Sequence, residues 1–147
     1  MSSILTVEIT SFSFKENFPA HLFSVEGERH GGGFVFDCRS LPNPGREAEF
    51  KMKTGLDKDV AAYLVSRIEV SQFQTHAFSL VDAAVKNFLE RDFTFMNVSF
   101  GCTGGQHRSV YFTELLAKHL RSSFAPLVEP KVIHHNLLKK GFLTPVA

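Results

Sequence analysis

The run Gly101-Cys102-Thr103-Gly104-Gly105-Gln106-His107-Arg108-Ser109 gathers three glycines, a thiol, two hydroxyls and an arginine within nine residues. Between a strand and a helix such a run binds phosphate, because glycines let backbone N–H groups turn inward and the helix start adds positive potential. Arg108 falls at or near the start of the helix that follows, where a cation costs about 0.3–1 kcal/mol unless something negative is close by. An anionic ligand reverses that sign. A guanidinium can grip two phosphate oxygens in a fork, and the Thr103 and Ser109 hydroxyls can complete the cradle. All eight residues from Cys102 to Ser109 are therefore candidate phosphate ligands. The alternative is a tight strand-to-helix turn that holds no ligand.

The same residues admit covalent chemistry. Cys102, five intervening residues, Arg108 and Ser109 reproduce the C-x5-R-[ST] pattern of the protein tyrosine phosphatases. There a low-pKa thiolate attacks a phosphate held by loop amides and arginine, and a helix N-terminus lowers the thiol's pKa further. In that reading Cys102 is the nucleophile, Arg108 the clamp and Asp37 the general acid. The bland reading makes Cys102 a small space-filling contact and Asp37 the partner that orients Arg39 or Arg108. His107 either bonds the ligand or caps the helix. A Walker-type triphosphate loop is excluded, since counting GxxxxGK[ST] from Gly101 places Gln106 and His107 where Gly and Lys belong. Cys38 and Cys102 lie 64 residues apart without CxxC spacing, which argues against a zinc site or a disulfide framework. His134 and His135 are adjacent, so on a strand they face opposite sides. No metal and no cofactor is expected.

Elements must bring these residues together. Ile4–Thr10 alternates imperfectly and is rich in β-branched residues, which predicts a strand ending at residues 11–14. Residues 15–33 contain Pro19, Gly27 and a glycine triplet and read as loop with one short helix. Phe34–Cys38 is a short apolar strand that feeds the rigid turn Leu41-Pro42-Asn43-Pro44-Gly45. From Asp57 to Arg91 apolar residues take helical spacing in two blocks, predicting two helices joined between Val70 and Thr75. Phe93–Phe100 predicts a strand running into the glycine loop, and Phe112, Leu115, Leu116 and Leu120 a helix directly after it. Leu127–Ile133 predicts a last strand, followed by an exposed basic tail at Lys139-Lys140-Gly141. Strands separated by helical crossovers imply a small three-layer α/β domain with a mainly parallel sheet and a phosphate-binding loop at a helix N-terminus. Ligands of such sheets bind at the carboxyl ends of the strands. The loops after Cys38, Phe100 and Ile133 should then converge.

Composition limits the partners. A length of 147 residues suits a single domain over 1–147, large enough to need no staples. Sixteen Lys+Arg against fifteen Asp+Glu gives a net charge of +1, so any anion site is local rather than a property of the global field. No apolar run approaches the length of a membrane span, which argues against a membrane partner. Residues 1–8 carry no export signal, so the cytoplasm is the default location. Sixteen of the eighteen aromatics are Phe, a core-filling inventory with few polar tips. Lys131, Lys139 and Lys140 make a modest basic edge, read as solvated surface or as an RNA contact.

The run from Ser99 to Tyr111 resembles the C-terminal domain of the RapZ family of bacterial RNase adapter proteins. Three further stretches agree in order: Thr10-Ser11-Phe12, Phe36-Asp37-Cys38-Arg39-Ser40-Leu41-Pro42-Asn43-Pro44 and Thr54-Gly55-Leu56-Asp57. His134-His135-Asn136-Leu137 echoes a fourth. The resemblance implies a regulatory domain that binds and senses the amino-sugar phosphate glucosamine-6-phosphate. Cys102, Thr103, Gly104, Gly105 and Arg108 would hold the phosphate, and Asp37, Arg39 and Asn43 would line the same crevice. Arg46 and His134 complete the candidate ligand pocket. Full-length family members also carry an N-terminal P-loop domain and contact a regulatory RNA and RNase E, and this chain reads as the C-terminal domain standing alone. The expectation is a non-catalytic sugar-phosphate sensor that signals through a protein partner. A Cys102-dependent phosphatase and an RNA-binding adapter are the alternatives, and self-association is left open.

Overall fold

Apolar and β-branched residues from Leu5 to Ser13 form β1, which lies inside the sheet with a strand on either side. In this computed structural model residues 3–16 and 32–142 are described. Of the loop and short helix expected over residues 15–33, residues 17–31 lie outside them. β1 pairs in parallel with β3 (Phe95–Cys102) from Thr6↔Phe95 to Ser13↔Cys102, and with β4 (Val128–His134) from Leu5↔Val128 to Ser11↔His134. β2 (Gly33–Asp37) pairs with β3 on its other side, giving the order β2-β3-β1-β4 with every pair parallel. Pairing along its whole length carries β1 to Ser13, within the expected end at residues 11–14.

Two helices bridge β2 and β3: α1 (Lys58–Val65) and α2 (Ile68–Glu90). They part at Ser66 and Arg67, earlier than the expected Val70–Thr75 join. Ser66 Oγ donates to the Tyr63 carbonyl at 2.6 Å, and Arg67 takes an extended backbone (φ −95°, ψ 124°) as the cap of α2. α2 then runs through the predicted join without a break and buries Val70, Ala77, Phe78, Val81 and Val85. α3 (Arg108–Phe124) connects β3 to β4, and the short α4 (His135–Lys139) follows β4. A helix thus replaces the first part of the expected basic tail, and His135 opens it instead of continuing the strand.

Both helical crossovers step the same way across the sheet, so a right-handed path places α2 and α3 on one face. The aromatic core records this. Phe36 of β2 stacks on Phe100 of β3 at 5.3 Å, Phe100 lies 5.7 Å from Phe112 of α3, and Phe73 of α2 closes the cluster at 5.0 Å from Phe112. The chain is an α/β domain built on a four-stranded parallel sheet. All eight residues of β3 are buried, including Gly101 and Cys102, which the sequence reading assigned to the loop. A Cβ on Gly101 would stand 2.4 Å from the Phe14 ring and 2.5 Å from that of Phe12. Only glycine lets the strand run to Cys102 and deliver the thiol to the mouth of the sheet. Among the described residues no helix is long and apolar enough to cross a membrane.

Candidate anion-binding site

Parallel strands release their carboxyl ends on one side, and the segments after β2, β3 and β4 meet there. The loop of β3 runs from Thr103 to His107 before α3 begins at Arg108. Gly105 takes φ +64°, and a Cβ on it would come within 2.7 Å of Asn136 Oδ1 at the start of α4. Asn136 is fully buried, so the loop is pressed between the end of β4 and the segment that follows β2. Gln106 stitches the other side: its Nε2 donates to the carbonyls of Lys51 and Lys53 at 2.9 and 2.8 Å, and its own carbonyl accepts from Gly55 N at 2.9 Å. Ser13 Oγ donates to the Thr103 carbonyl at 2.6 Å. Lys140 Nζ donates to the Gly104 carbonyl at 2.6 Å.

Arg108 is 3% exposed, and its guanidinium turns toward the β2 segment. Nη1 donates to the carbonyls of Leu41 at 2.9 Å, Arg39 at 3.0 Å and Cys38 at 3.3 Å, while Nη2 reaches Thr103 Oγ1 at 3.4 Å. The two-pronged grip on phosphate expected of this arginine is thus half used by main chain; Nη2 keeps a hydrogen to spare, and the buried Nε–H has no partner among the described residues. His107 Nε2 lies 2.8 Å from the Phe50 carbonyl, which can only accept, so the ring proton is on Nε2 and Nδ1 carries the lone pair. Burial holds His107 below its ordinary pKa, with the charges of Lys140 and Arg108 adding to the effect and the Phe50 and Lys53 carbonyls opposing it. His107 makes no side-chain cap to α3, which removes one of its two expected roles.

Two recesses open over this floor. The first, about 230 Å³, is walled by Cys102, Thr103, Gly104, Gln106, His107 and Arg108 of the loop with Asn43, Gly45 and Lys51 opposite. The second, about 390 Å³, lies between the β2 segment (Arg39 to Asn43, and Arg46) and Glu69, and shares Asn43, Thr103 and Arg108 with the first. Asn43 Oδ1 accepts from Gly45 N at 2.9 Å, and this side-chain turn between Pro42 and Pro44 fixes the shared wall.

The model of the RapZ C-terminal domain matches residues 5–137. The chain belongs to the RapZ C-terminal domain family. It is 38% identical over 119 residues to a nucleotide-binding protein of Methylococcus capsulatus, covering 81% of this chain and 37% of that protein. A nucleotide-binding protein of Thermotoga neapolitana is 36% identical over 125 residues, covering 85% and 41%. One of Shewanella halifaxensis is 37% identical over 117 residues, covering 80% and 38%. The chain therefore spans about two-fifths of the length of these relatives.

Within this RapZ-family domain the sequence-derived residues divide. Cys102, Thr103, Gly104, Gln106, His107, Arg108 and Asn43 face the first recess, and Arg39 and Arg46 face the second. Gly105 turns toward Asn136, and Ser109 is fully buried with Oγ 3.1 Å from Cys102 Sγ, so neither lines a recess. Asp37 pairs with Arg39, Nη2 to Oδ2 at 2.6 Å, and not with Arg108. That hydrogen bond, opposed by slight desolvation, holds the Asp37 carboxyl below the usual carboxylate range. His134 stands apart: Nδ1 lies 2.8 Å from Ser11 Oγ and Nε2 2.9 Å from Glu114 Oε1, a strut between β1, β4 and α3.

Ser40, Leu41, Pro42, Gly45, Lys51 and Glu69 are the wall residues that were not among the expected site residues. One signal was present. The Thr54-Gly55-Leu56-Asp57 stretch that the family resemblance singled out has a structural use here, because a Cβ on Gly55 would sit 2.4 Å from the His107 carbonyl. That close approach brings Lys51 to the recess. Glu69, on α2, had no signal. Of the basic edge, Lys139 pairs with Glu16 at 3.5 Å and Lys140 is held on the loop.

Proposed function

We propose that this domain is a non-catalytic binding and sensing module for a sugar phosphate of the glucosamine-6-phosphate type. The observation that carries the reading is the wall of Asn43, Thr103 and Arg108 common to a cation-lined recess and a larger polar one. A tetrahedral dianion suits the first, where loop amides, Arg108 Nη2 and Lys51 supply donors. A polyhydroxylated ring suits the second. The His107 Nδ1 lone pair suits a sugar hydroxyl better than a phosphate oxygen, and an ammonium on the ring would find the Glu69 carboxylate. The relatives' name, nucleotide-binding protein, adds nucleoside phosphates to the ligands worth testing, since they offer the same headgroup. An RNA or a protein that reads the bound state is part of this proposal, and so is the whole protein's activity.

A thermal-shift and calorimetric comparison of glucosamine-6-phosphate, glucose-6-phosphate, glucosamine, inorganic phosphate and a nucleoside monophosphate tests it. At a hundredfold excess over Kd a true ligand stabilises the fold by about 2.7 kcal/mol. The phosphorylated amino sugar should shift the transition most and free glucosamine not at all, with Glu69→Gln narrowing the gap to glucose-6-phosphate. No shift from any phosphorylated compound ends the reading.

A further inference from the structure

Cys38 and Cys102 leave the sheet side by side. β2 and β3 pair through Asp37↔Gly101, and Cys38 N continues the ladder by donating to the Gly101 carbonyl at 2.8 Å. That step sets Cys38 opposite Cys102. Side chains alternate along strands, so the two thiols share the face of Phe36 and Phe100, the paired residues two positions back whose rings stack at 5.3 Å. In-register neighbours on adjacent strands have Cα atoms about 4.8 Å apart, within the roughly 4.4–6.8 Å that a disulfide spans. Both cysteines are free and buried. The 64-residue separation that argued against pairing in the sequence is closed by the parallel register.

The two sulfurs differ in access and acidity. Cys102 lines the first recess, whereas Cys38 is fully enclosed and lines neither recess over the loop. Burial alone would raise the Cys102 thiol, yet the Ser109 hydroxyl and amide, the Arg108 charge and the Gln106 amide hold it below its ordinary value. Burial and the neighbouring Cys102 push Cys38 well above. Thiolates are the form that reacts with peroxides, which makes Cys102 the entry point and Cys38 the resolving thiol.

We propose that Cys102 and Cys38 form a peroxide-responsive dithiol, in which oxidation of Cys102 within the recess is followed by a disulfide to Cys38 that disables the anion loop. In the first step the Cys102 thiolate attacks one oxygen of hydrogen peroxide: an S–O bond forms, the O–O bond breaks and hydroxide leaves. In the second the Cys38 sulfur attacks the sulfenic acid: an S–S bond forms, the S–O bond breaks, and the leaving hydroxide takes the Cys38 proton as water. Both sulfurs are oxidised and the peroxide is reduced. The cross-link takes the Cys102 sulfur away from Ser109 and from the recess wall. It also pulls on the residue whose carbonyl anchors Arg108. The effect on ligand rests on the sugar-phosphate reading; formation of the cross-link does not.

The reduced chain is exposed to hydrogen peroxide, alkylated and digested without reductant. The expected product is a peptide pair joining Cys38 to Cys102, each lacking its thiol hydrogen and released by dithiothreitol. In Cys38→Ala, dimedone should instead trap an accumulating sulfenic acid at Cys102. Apparent affinity for glucosamine-6-phosphate should fall at least about tenfold on oxidation and return on reduction. The proposal is overturned if wild-type protein gives no linked peptide, or if the cross-linked protein binds as tightly as the reduced one. A reduced protein that binds no phosphorylated compound defeats the ligand reading alone, and the linked peptide then decides the dithiol by itself.

Discussion

Arg108 Nη1 donates to the Leu41 carbonyl at 2.9 Å, binding the first turn of α3 to the segment that leaves β2. With the Arg39 and Cys38 carbonyls on the same nitrogen, this side chain holds two strand ends together while Nη2 and the Thr103 hydroxyl face the recess. Arg108→Ala should therefore fail twice: urea unfolding loses about 1.5–3 kcal/mol, the range of a charge-assisted hydrogen-bond set, and calorimetry detects no sugar-phosphate binding. Arg108→Lys should recover part of the binding but little of the stability, because a single ammonium nitrogen cannot take the places of both Nη1 on the carbonyls and Nη2 on Thr103 Oγ1. Wild-type stability in Arg108→Ala would show that the carbonyl contacts contribute nothing.

Gly105 and Asn136 form a second coupled pair. A Cβ at Gly105 is disfavoured by φ +64° and by the Asn136 amide at 2.7 Å. Gly105→Ala is expected to cost about 1–2 kcal/mol for the left-handed backbone alone, plus the clash. Adding Asn136→Ala removes Oδ1 and Cγ from the collision. The double mutant should then be more stable than the sum of the singles predicts, and denaturant titration of the four proteins reads that coupling. Strict additivity would separate the two residues.

Folding depresses the His107 pKa, so the native state binds its proton less readily than the unfolded chain does. The contribution to stability is complete above the ordinary value of 6.5 and is lost progressively as pH falls below it toward the folded value. His107→Gln keeps a donor for the Phe50 carbonyl and does not titrate. Its melting temperature should decline less than that of wild type between about pH 7 and pH 5. Parallel curves would place the titration elsewhere.

Catalysis through Cys102 needs an acid for the leaving oxygen. Asp37, the residue that the phosphatase pattern nominates, is ionised by its pairing with Arg39 and makes no contact with Arg108. A protonated general acid is absent from that carboxyl near neutral pH. Incubation with an aryl phosphate from about pH 5 to pH 8 should release no phenol above background. Turnover abolished by Cys102→Ser would reverse this conclusion.

The candidate anion loop was legible as a strand-to-helix loop because its residue pattern is local. Glycines, a thiol, hydroxyls and an arginine between a strand pattern and a helix pattern specify backbone amides and a positive helix end before any tertiary contact forms. The α/β class followed from periodicity, which is also local. Boundaries were less legible where long-range pairing overrides propensity: β3 reaches Cys102 because it pairs with Ser13 of β1, and the helix break falls at Ser66 because its hydroxyl takes the Tyr63 carbonyl.

What the residue string determined by itself is the presence of a glycine-bearing strand-to-helix loop at the mouth of a parallel sheet. Tertiary structure alone decided where its side chains are engaged. Ser109 meets the thiol, Gly105 yields to Asn136, His134 braces Glu114, and Glu69 reaches the second recess from α2. Each of these joins residues distant in the chain or turns a side chain away from the face its position suggested. Register and crossover geometry, which no local pattern encodes, set which atoms come within hydrogen-bonding distance.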